Sequence, residues 1–305
     1  MRSVPHRPVL LENALEFLAP KPEGVYVDAT VGAGGHARAI AERLGGGLLI
    51  GLDRDASALD LARRNLAALG ARITLHHAAF SRLTEILDLL SIERVDGVLA
   101  DLGVSSMQLD EPERGFSFRS DAPLDMRMDR TGGETAADLL KRLPERELAN
   151  AIYEYGEERF SRRIARRIVE ERRRGIEWTG RSLAELVAKA IPGSPRGRID
   201  PATRTFQALR ILVNREWEEI EKLLPAAIER CRPGGRIVVI AFHSLEDRIV
   251  KRRFRRWAGR EADASGERGP ARVRILTPKP VGPTDEERRE NPRSRSARLR
   301  AVEVI

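Results

Sequence analysis

The 305-residue chain has one cysteine, Cys231, which excludes an intrachain disulfide and any zinc site built from a cysteine cluster. No stretch approaches the roughly 18 consecutive apolar residues of a membrane-spanning helix. The segment from Met1 to His6 lacks the apolar core of a secretion signal, so a cytoplasmic location without membrane attachment is expected. Lysine is scarce, with 6 against 48 arginines in the Lys+Arg total of 54. The balance is still basic, at +8 with a pI near 10.2, and points toward a polyanionic partner. Hydrophobic residues make up 41% of the chain, enough for one large core or two modest ones.

What is present concentrates between Asp28 and Ala37, which read Asp-Ala-Thr-Val-Gly-Ala-Gly-Gly-His-Ala. An apolar run, Val25 to Val27, leads in, and a helix-like run, Ala37 to Leu44, leads out. A glycine-rich turn between strand and helix lets the backbone approach a ligand closely. The next apolar run ends in Asp53, where a ribose would need an acceptor for its hydroxyls. The pattern Gly32-x-Gly34-x-x-Ala37 also satisfies a dinucleotide fingerprint. Asp28 decides between the two: an acid before the glycines repels pyrophosphate and suits a cationic, amino-acid-bearing ligand. S-adenosylmethionine, with a sulfonium and no phosphate, is the expected cofactor.

Strands are expected at 25–28, 48–53, 73–77 and 95–101, separated by helices at 37–44, 56–69 and 83–90. That alternation implies βαβ units and a parallel sheet, with ligands at the carboxyl ends of the strands. Asp28, Asp53, Phe80 and Asp101 all fall there. Residues 102–130 read as a long ordered loop, and Thr135 to about Ile191 as helical, with a capping box at Thr135-x-x-Asp138. Phe160, Ile164 and Ile168 lie four apart and mark one buried face. The break Ile191 to Gly197 returns the chain to the sheet. Helices resume over 202–231, Pro233 to Gly235 turn into a strand at 236–242, and Ser244 to Asp247 cap a basic helix reaching Trp257. Two last strands are expected at 273–276 and 299–304.

Arg114 to Arg119 interleaves two phenylalanines with two arginines, which suits either base stacking or a loop anchored by buried rings. The acids between Asp121 and Asp129 lack the pattern of a calcium loop and read as structural, so no metal is expected. Two basic runs stand out. Residues 157–174 hold eight arginines against four glutamates, the makeup of a solvated, self-paired face. Residues 248–260 hold seven cations, no acid, and Phe254 and Trp257, and suit nucleic acid.

Several segments together resemble one family. They are His6-x-Pro8-Val9-Leu10-Leu11, Asp28 to His36, Asp53-x-Asp55, Ala100 to Ser106, Gln108 to Asp110, and Arg114 to Phe118. Further matches are Pro123 to Asp129, Tyr155 to Phe160, Ala202 to Gln207, Phe242 to Lys251, and Asn291 to Ser296. On these the chain is similar to the bacterial 16S rRNA (cytosine-N4) methyltransferases, the RsmH/MraW family. The resemblance implies a Rossmann-like class I S-adenosylmethionine methyltransferase domain, residues 1–110 and 206–305. A linking loop and inserted all-helical substrate-recognition domain would occupy 111–205. It implies as partner the 16S rRNA of the small ribosomal subunit, modified on a cytidine in the decoding centre. The family's cofactor contacts fall on Gly34, Gly35, His36, Asp53, Phe80, Asp101 and Gln108, with Phe80 against the adenine.

Methyl transfer from a sulfonium needs position and electrostatics more than a covalent intermediate. The cytosine amine is a poor nucleophile, and an acceptor for its hydrogen would help it pyramidalise. Asp101, or the Leu102 carbonyl, is expected in that role, with Phe116 or Phe118 stacking on the base. Methylation at ring carbon 5 is set aside because it needs a thiolate, and Cys231 precedes Pro233-Gly234 at a helix end. His243, Ser244 and Asp247 do not read as a hydrolase triad, because Ser244 and Asp247 have the spacing of a helix capping box. The alternatives are a methyltransferase with another acceptor and a non-catalytic ribosome assembly factor on the same fold. Oligomeric state is left open.

Overall fold

The computed structural model describes residues 8–192, 200–262 and 266–305. The motif residue His6, positions 193–197 of the expected break, and positions 263–265 of the basic region's glycine-rich tail lie outside the described residues. Contacts divide the chain into two compact units, residues 1–103 with 217–305, and residues 104–216. The sequence put the divisions at 110/111 and 205/206. The later second division follows from helix 203–214, whose Phe206, Ala208 and Leu209 are buried with residues of the inserted helices.

The first unit opens with α1 (Leu11–Leu18) and β1 (Val25–Asp28), then α2 (Gly35–Ala41), β2 (Leu48–Asp53), α3 (Ala56–Leu66), β3 (Ile73–His77), α4 (Leu83–Leu89) and β4 (Val95–Asp101). In the second unit lie α5 (Ser106–Asp110), α6 (Ala136–Arg142), α7 (Glu145–Gly156), α8 (Ser161–Arg173), α9 (Gly180–Ala190) and α10 (Thr203–Asn214). Then come α11 (Glu216–Arg230), β5 (Cys231–Ala241), α12 (Ser244–Trp257), β6 (Val273–Ile275), α13 (Asp285–Glu290) and β7 (Arg298–Val304).

The sheet order is β3-β2-β1-β4-β5-β7-β6. β1 to β5 run parallel, and β7 is antiparallel to both its neighbours. This is a Rossmann-like α/β architecture, as expected from the sequence. The central strands β1 and β2 are apolar up to their terminal aspartates because both faces are covered. Alternate residues go to opposite faces. Val27, Ile50, Val98 and Val239 pack with α4, α11 and α12 through Leu83, Leu87, Leu224 and Phe254. Tyr26, Leu49, Leu99 and Val238 pack with α1, α2 and α3 through Leu15, Ile40 and Leu66. The chain winds outward from β1 to β3, then returns to β4 beside β1. That reversal opens a crevice at the carboxyl ends of β1 and β4.

Several local expectations are corrected. The second helix starts at Gly35, not Ala37, because Gly34 takes the left-handed N-cap conformation at φ 90°. The third stops at Leu66, and a 3-10 turn follows to Arg72. The stretch expected as loop contains α5, closed by a Ser105–Gln108 capping box. Cys231 begins β5 instead of ending a helix: it pairs with Val95, Arg236 pairs with Gly97, and Pro233 to Gly235 bulge between. The box before α12 is one residue earlier than read, at His243 and Glu246. Asp247 is instead held by Arg300 at 2.5 Å and Arg298 at 3.3 Å.

The second unit has its own core, built from Leu140, Leu148, Ile152, Ile164, Ile168, Leu183 and Val187. The expected Thr135–Asp138 box caps α6. Ile164 and Ile168 are fully buried, while Phe160 lies just before α8 with the Arg159 guanidinium 4.6 Å from its ring centre.

Candidate active site

The turn after β1 is tied down by its own backbone. The Gly32 amide donates to Oδ2 of Asp53 at 2.7 Å, Val31 to the Leu52 carbonyl at 3.0 Å, and Gly34 to the Val31 carbonyl at 2.8 Å. The Thr30 amide donates to Oδ1 of Asp28 at 3.1 Å. Four amides that a phosphate loop would turn toward an anion are thus already engaged inside the protein. Gly32 and Gly34 have φ of 53° and 90°, a region that favours glycine. A Cβ on Gly34 would lie 3.1 Å from Leu66, and one on Gly35 2.4 Å from Cγ of Pro8. Close packing therefore demands these two glycines whatever binds beside them.

Carboxyls gather at the same strand ends. Asp28 is completely buried, with Oδ2 unpartnered, and burial pushes its carboxyl up to about 7. Asp53 is held up at about 6 by burial, against the lowering pull of the Asp55 and Gly32 amides. Its Oδ1 accepts the Asp55 amide at 2.8 Å, and Asp55, not Asp53, caps α3. Asp101 ends β4 with 23% of its side chain exposed. Burial first, then the neighbouring Asp28 and Glu246 charges, drive its carboxyl well above the usual range. The Asp101 amide donates to Oγ1 of Thr30 at 2.6 Å, which locks the ends of β1 and β4 together. His36, buried on α2, places Nε2 3.0 Å from the Val9 carbonyl and Nδ1 3.7 Å from Oδ2 of Asp101.

The structure thus brings Gly34, Gly35, His36, Asp53 and Asp101 to one edge of the sheet. Phe80 follows β3 in a 3-10 turn and packs partly buried against the core. Gln108 belongs to the second unit, where its side chain accepts the Ser105 amide at 3.0 Å. Thr30 and Glu246 were not identified as site residues. Thr30 carried no signal beyond its place in the glycine motif, and Glu246 was masked by the expected Ser244–Asp247 cap.

The aromatic motif of the second unit has a structural role. Arg114 is buried and donates to the carbonyls of Arg127 and Met128 at 3.1 and 2.9 Å. Phe116 lies in the core, and Phe118 meets Phe206 edge-to-face at 5.9 Å. Phe116 is buried and Phe118 partly buried, so packing gives both rings a place in the fold without a base. Phe242, half-buried after β5, is the aromatic that the sheet brings beside Gly103, 3.7 Å from where a Cβ would stand. Asp125 is bound by Arg127 at 2.7 and 2.9 Å. Among the described residues no cluster of three or more His, Cys, Asp or Glu is placed to hold a metal.

Comparison with known proteins follows the same lines. Residues 3–305 match the model of the MraW methylase family. The Ribosomal RNA small subunit methyltransferase H of Pelobacter propionicus is 52% identical over 314 residues, covering 100% of both chains. That of Geobacter sulfurreducens is 52% identical, over 98% of this chain and 99% of its own. The crystal structure of an rRNA methylase from Streptococcus thermophilus is a distant likeness, at 11% identity and TM-score 0.45 over 99% of each chain.

Proposed function

Since this chain belongs to the MraW methylase family, we propose that it methylates the N4 amine of a cytidine in the decoding centre of 16S rRNA, within the small ribosomal subunit, using S-adenosylmethionine. The relatives' shared name supports small-subunit ribosomal RNA as acceptor. The motif resemblance supplies the cytidine and its position.

One observation carries the cofactor assignment: the glycine turn spends its amides internally while buried carboxyls collect beside it. A phosphate would meet few donors and several acids. A cationic, phosphate-free ligand fits, because its charge offsets the cost of ionising those carboxyls. S-adenosylmethionine would supply the activated methyl group. Each oxygen of Asp53 accepts one amide and keeps a lone pair for a ribose hydroxyl. Gly34, Gly35 and His36 shape the wall of the cleft, Phe80 is assigned to the adenine, and Gln108 to a polar contact. The second unit, residues 104–216, is assigned to the substrate.

Attack forms the N4–carbon bond and breaks the sulfur–carbon bond, leaving the nitrogen with a surplus proton. Asp101 is the acceptor proposed for it. A carboxylate in its surroundings is a stronger base than one in water, and a cation beside it favours the ionised form needed to accept. Phe242 is proposed to stack on the cytosine in place of Phe116 and Phe118.

The test is incubation with labelled S-adenosylmethionine and small subunits lacking the modification, then nucleoside mass spectrometry. N4-methylcytidine is the expected product. Cofactor binding without transfer would favour the assembly-factor reading.

A further inference from the structure

Helix α12 has two faces. Leu245, Val250 and Phe254 are buried, and Trp257 packs partly buried against the same core. Arg248, Lys251, Arg252 and Arg255, spaced i, i+3, i+4, i+7, are exposed and line one open concavity of about 460 Å³. Among the described residues lining it, Glu261 is the only acid, and it pairs with Arg255 at 3.2 Å. Arg260 continues the positive surface into an adjoining hollow with Lys251, Arg255 and Arg300. The sequence sets Phe254 and Trp257 among these cations, and the fold buries Phe254 and packs Trp257 partly buried against the core. The side chains that line the concavity are all charged.

We infer that this face of α12 is a docking surface for the phosphate backbone of the RNA substrate, one that contributes affinity and does not read bases. The inference rests on the methyltransferase reading above for the identity of the RNA. The row from Arg248 to Arg255 extends about 10 Å along the helix axis, long enough to follow a strand past a single phosphate. Cations that replace condensed counterions contribute sequence-independent, salt-sensitive affinity. Phosphate contacts position a substrate, and specificity comes from elsewhere. The helix keeps its own negative charge out of the way: Asp247 is consumed by Arg298 and Arg300. Glu246 closes the cap and is fully buried.

The experiment compares Lys251→Gln/Arg252→Gln with a charge-matched control, Arg63→Gln/Arg64→Gln. The control pair is exposed on α3, whose buried side packs on the opposite face of the sheet. Binding to small ribosomal subunits lacking the modification is measured directly across a salt series, alongside methyl transfer and S-adenosylmethionine affinity. The α12 variant is expected to bind subunits about 10-fold or more weakly near physiological salt. Its log-log salt dependence should be shallower by roughly 1 to 2, with cofactor affinity and turnover at saturating subunit unchanged. The control should behave as wild type. Equal subunit binding by wild type and α12 variant overturns the inference, as does an equal loss in the control. If wild type binds subunits and the α12 variant does not, yet neither transfers methyl, the surface stands and the catalytic reading falls.

Discussion

Nδ1 of His36 lies 3.7 Å from Oδ2 of Asp101, beside the carboxylate but too far to hydrogen-bond it. The other ring nitrogen faces the Val9 carbonyl, so Nε2 carries the proton and Nδ1 presents a lone pair whenever the ring is neutral. The other oxygen of Asp101, Oδ1, has no hydrogen-bond partner among the described residues. An oxygen so placed is suited to receive a proton from a substrate.

Asp101→Asn keeps the shape and the amide bond to Thr30 but cannot take the proton. Turnover should fall about 100-fold or more, while the dissociation constant for S-adenosylmethionine stays within about threefold, a ceiling of roughly 0.7 kcal/mol. An equal loss in both, measured by single-turnover kinetics and calorimetry, would assign Asp101 to cofactor placement instead.

The raised carboxyls give the free protein a pH signature. Asp28 near 7 and Asp53 near 6 bind protons more tightly folded than unfolded. Their contribution to stability is complete below about pH 4 and is lost as pH rises through 6 and 7. A bound cation opposes this by favouring the ionised forms. Affinity for S-adenosylmethionine should therefore rise from pH 5 to 8 with proton release, visible as a buffer-dependent binding enthalpy. The dependence should be weaker for S-adenosylhomocysteine, whose sulfur is uncharged, and absent-in-part for Asp28→Asn.

Asp53 latches the glycine turn as well as standing where a ribose would bind. Asp53→Ala releases the Gly32 and Asp55 amides together. Cofactor affinity should drop by at least tenfold, from two lost charge-assisted bonds, with faster amide hydrogen exchange at Gly32. Unchanged exchange would show that the turn holds its shape without the latch.

Phe242→Leu should raise KM for the subunit or lower turnover by about tenfold, the scale of one base–aromatic stack. Phe118→Leu should cost stability through its contact with Phe206 and leave kinetics unaltered. The reverse pattern would return the stacking role to the second unit.

Cys231 is buried and its thiol is pushed up to about 12 by burial, so it is no nucleophile at neutral pH. Cys231→Ala should leave transfer within twofold of wild type and cost about 1 kcal/mol of stability, read by denaturant titration. A dead but folded variant would reopen carbon-5 chemistry.

The parallel strands were legible because burial on both faces writes them as apolar runs, as at Leu48 to Leu52. The glycine turn was legible because Gly32 and Gly34 occupy positive φ. What stayed hidden was partnership. Nothing in the order of residues says that Gly32 bonds Asp53 or that Asp101 bonds Thr30, because those bonds join different strands. Phe116 and Phe118 read equally as stacking or packing rings, and nothing in the order of residues places Phe206 edge-on to Phe118. His243 was passed over as a cap because histidine is uncommon there, although its Nδ1 accepts the Glu246 amide as a serine oxygen would.

The neighbours β4 and β5 are separated in the chain by the entire second unit. During synthesis, then, β1 to β4 emerge first with the β4 edge bare, and bare edges invite wrong partners. The segment that follows is helical, with a core of its own, and helical units are the kind that form quickly. Its early folding shortens a long tether before β5 arrives. The insertion thus sets a timetable for the nascent chain, and changes that slow the helical unit would surface as aggregation of the sheet.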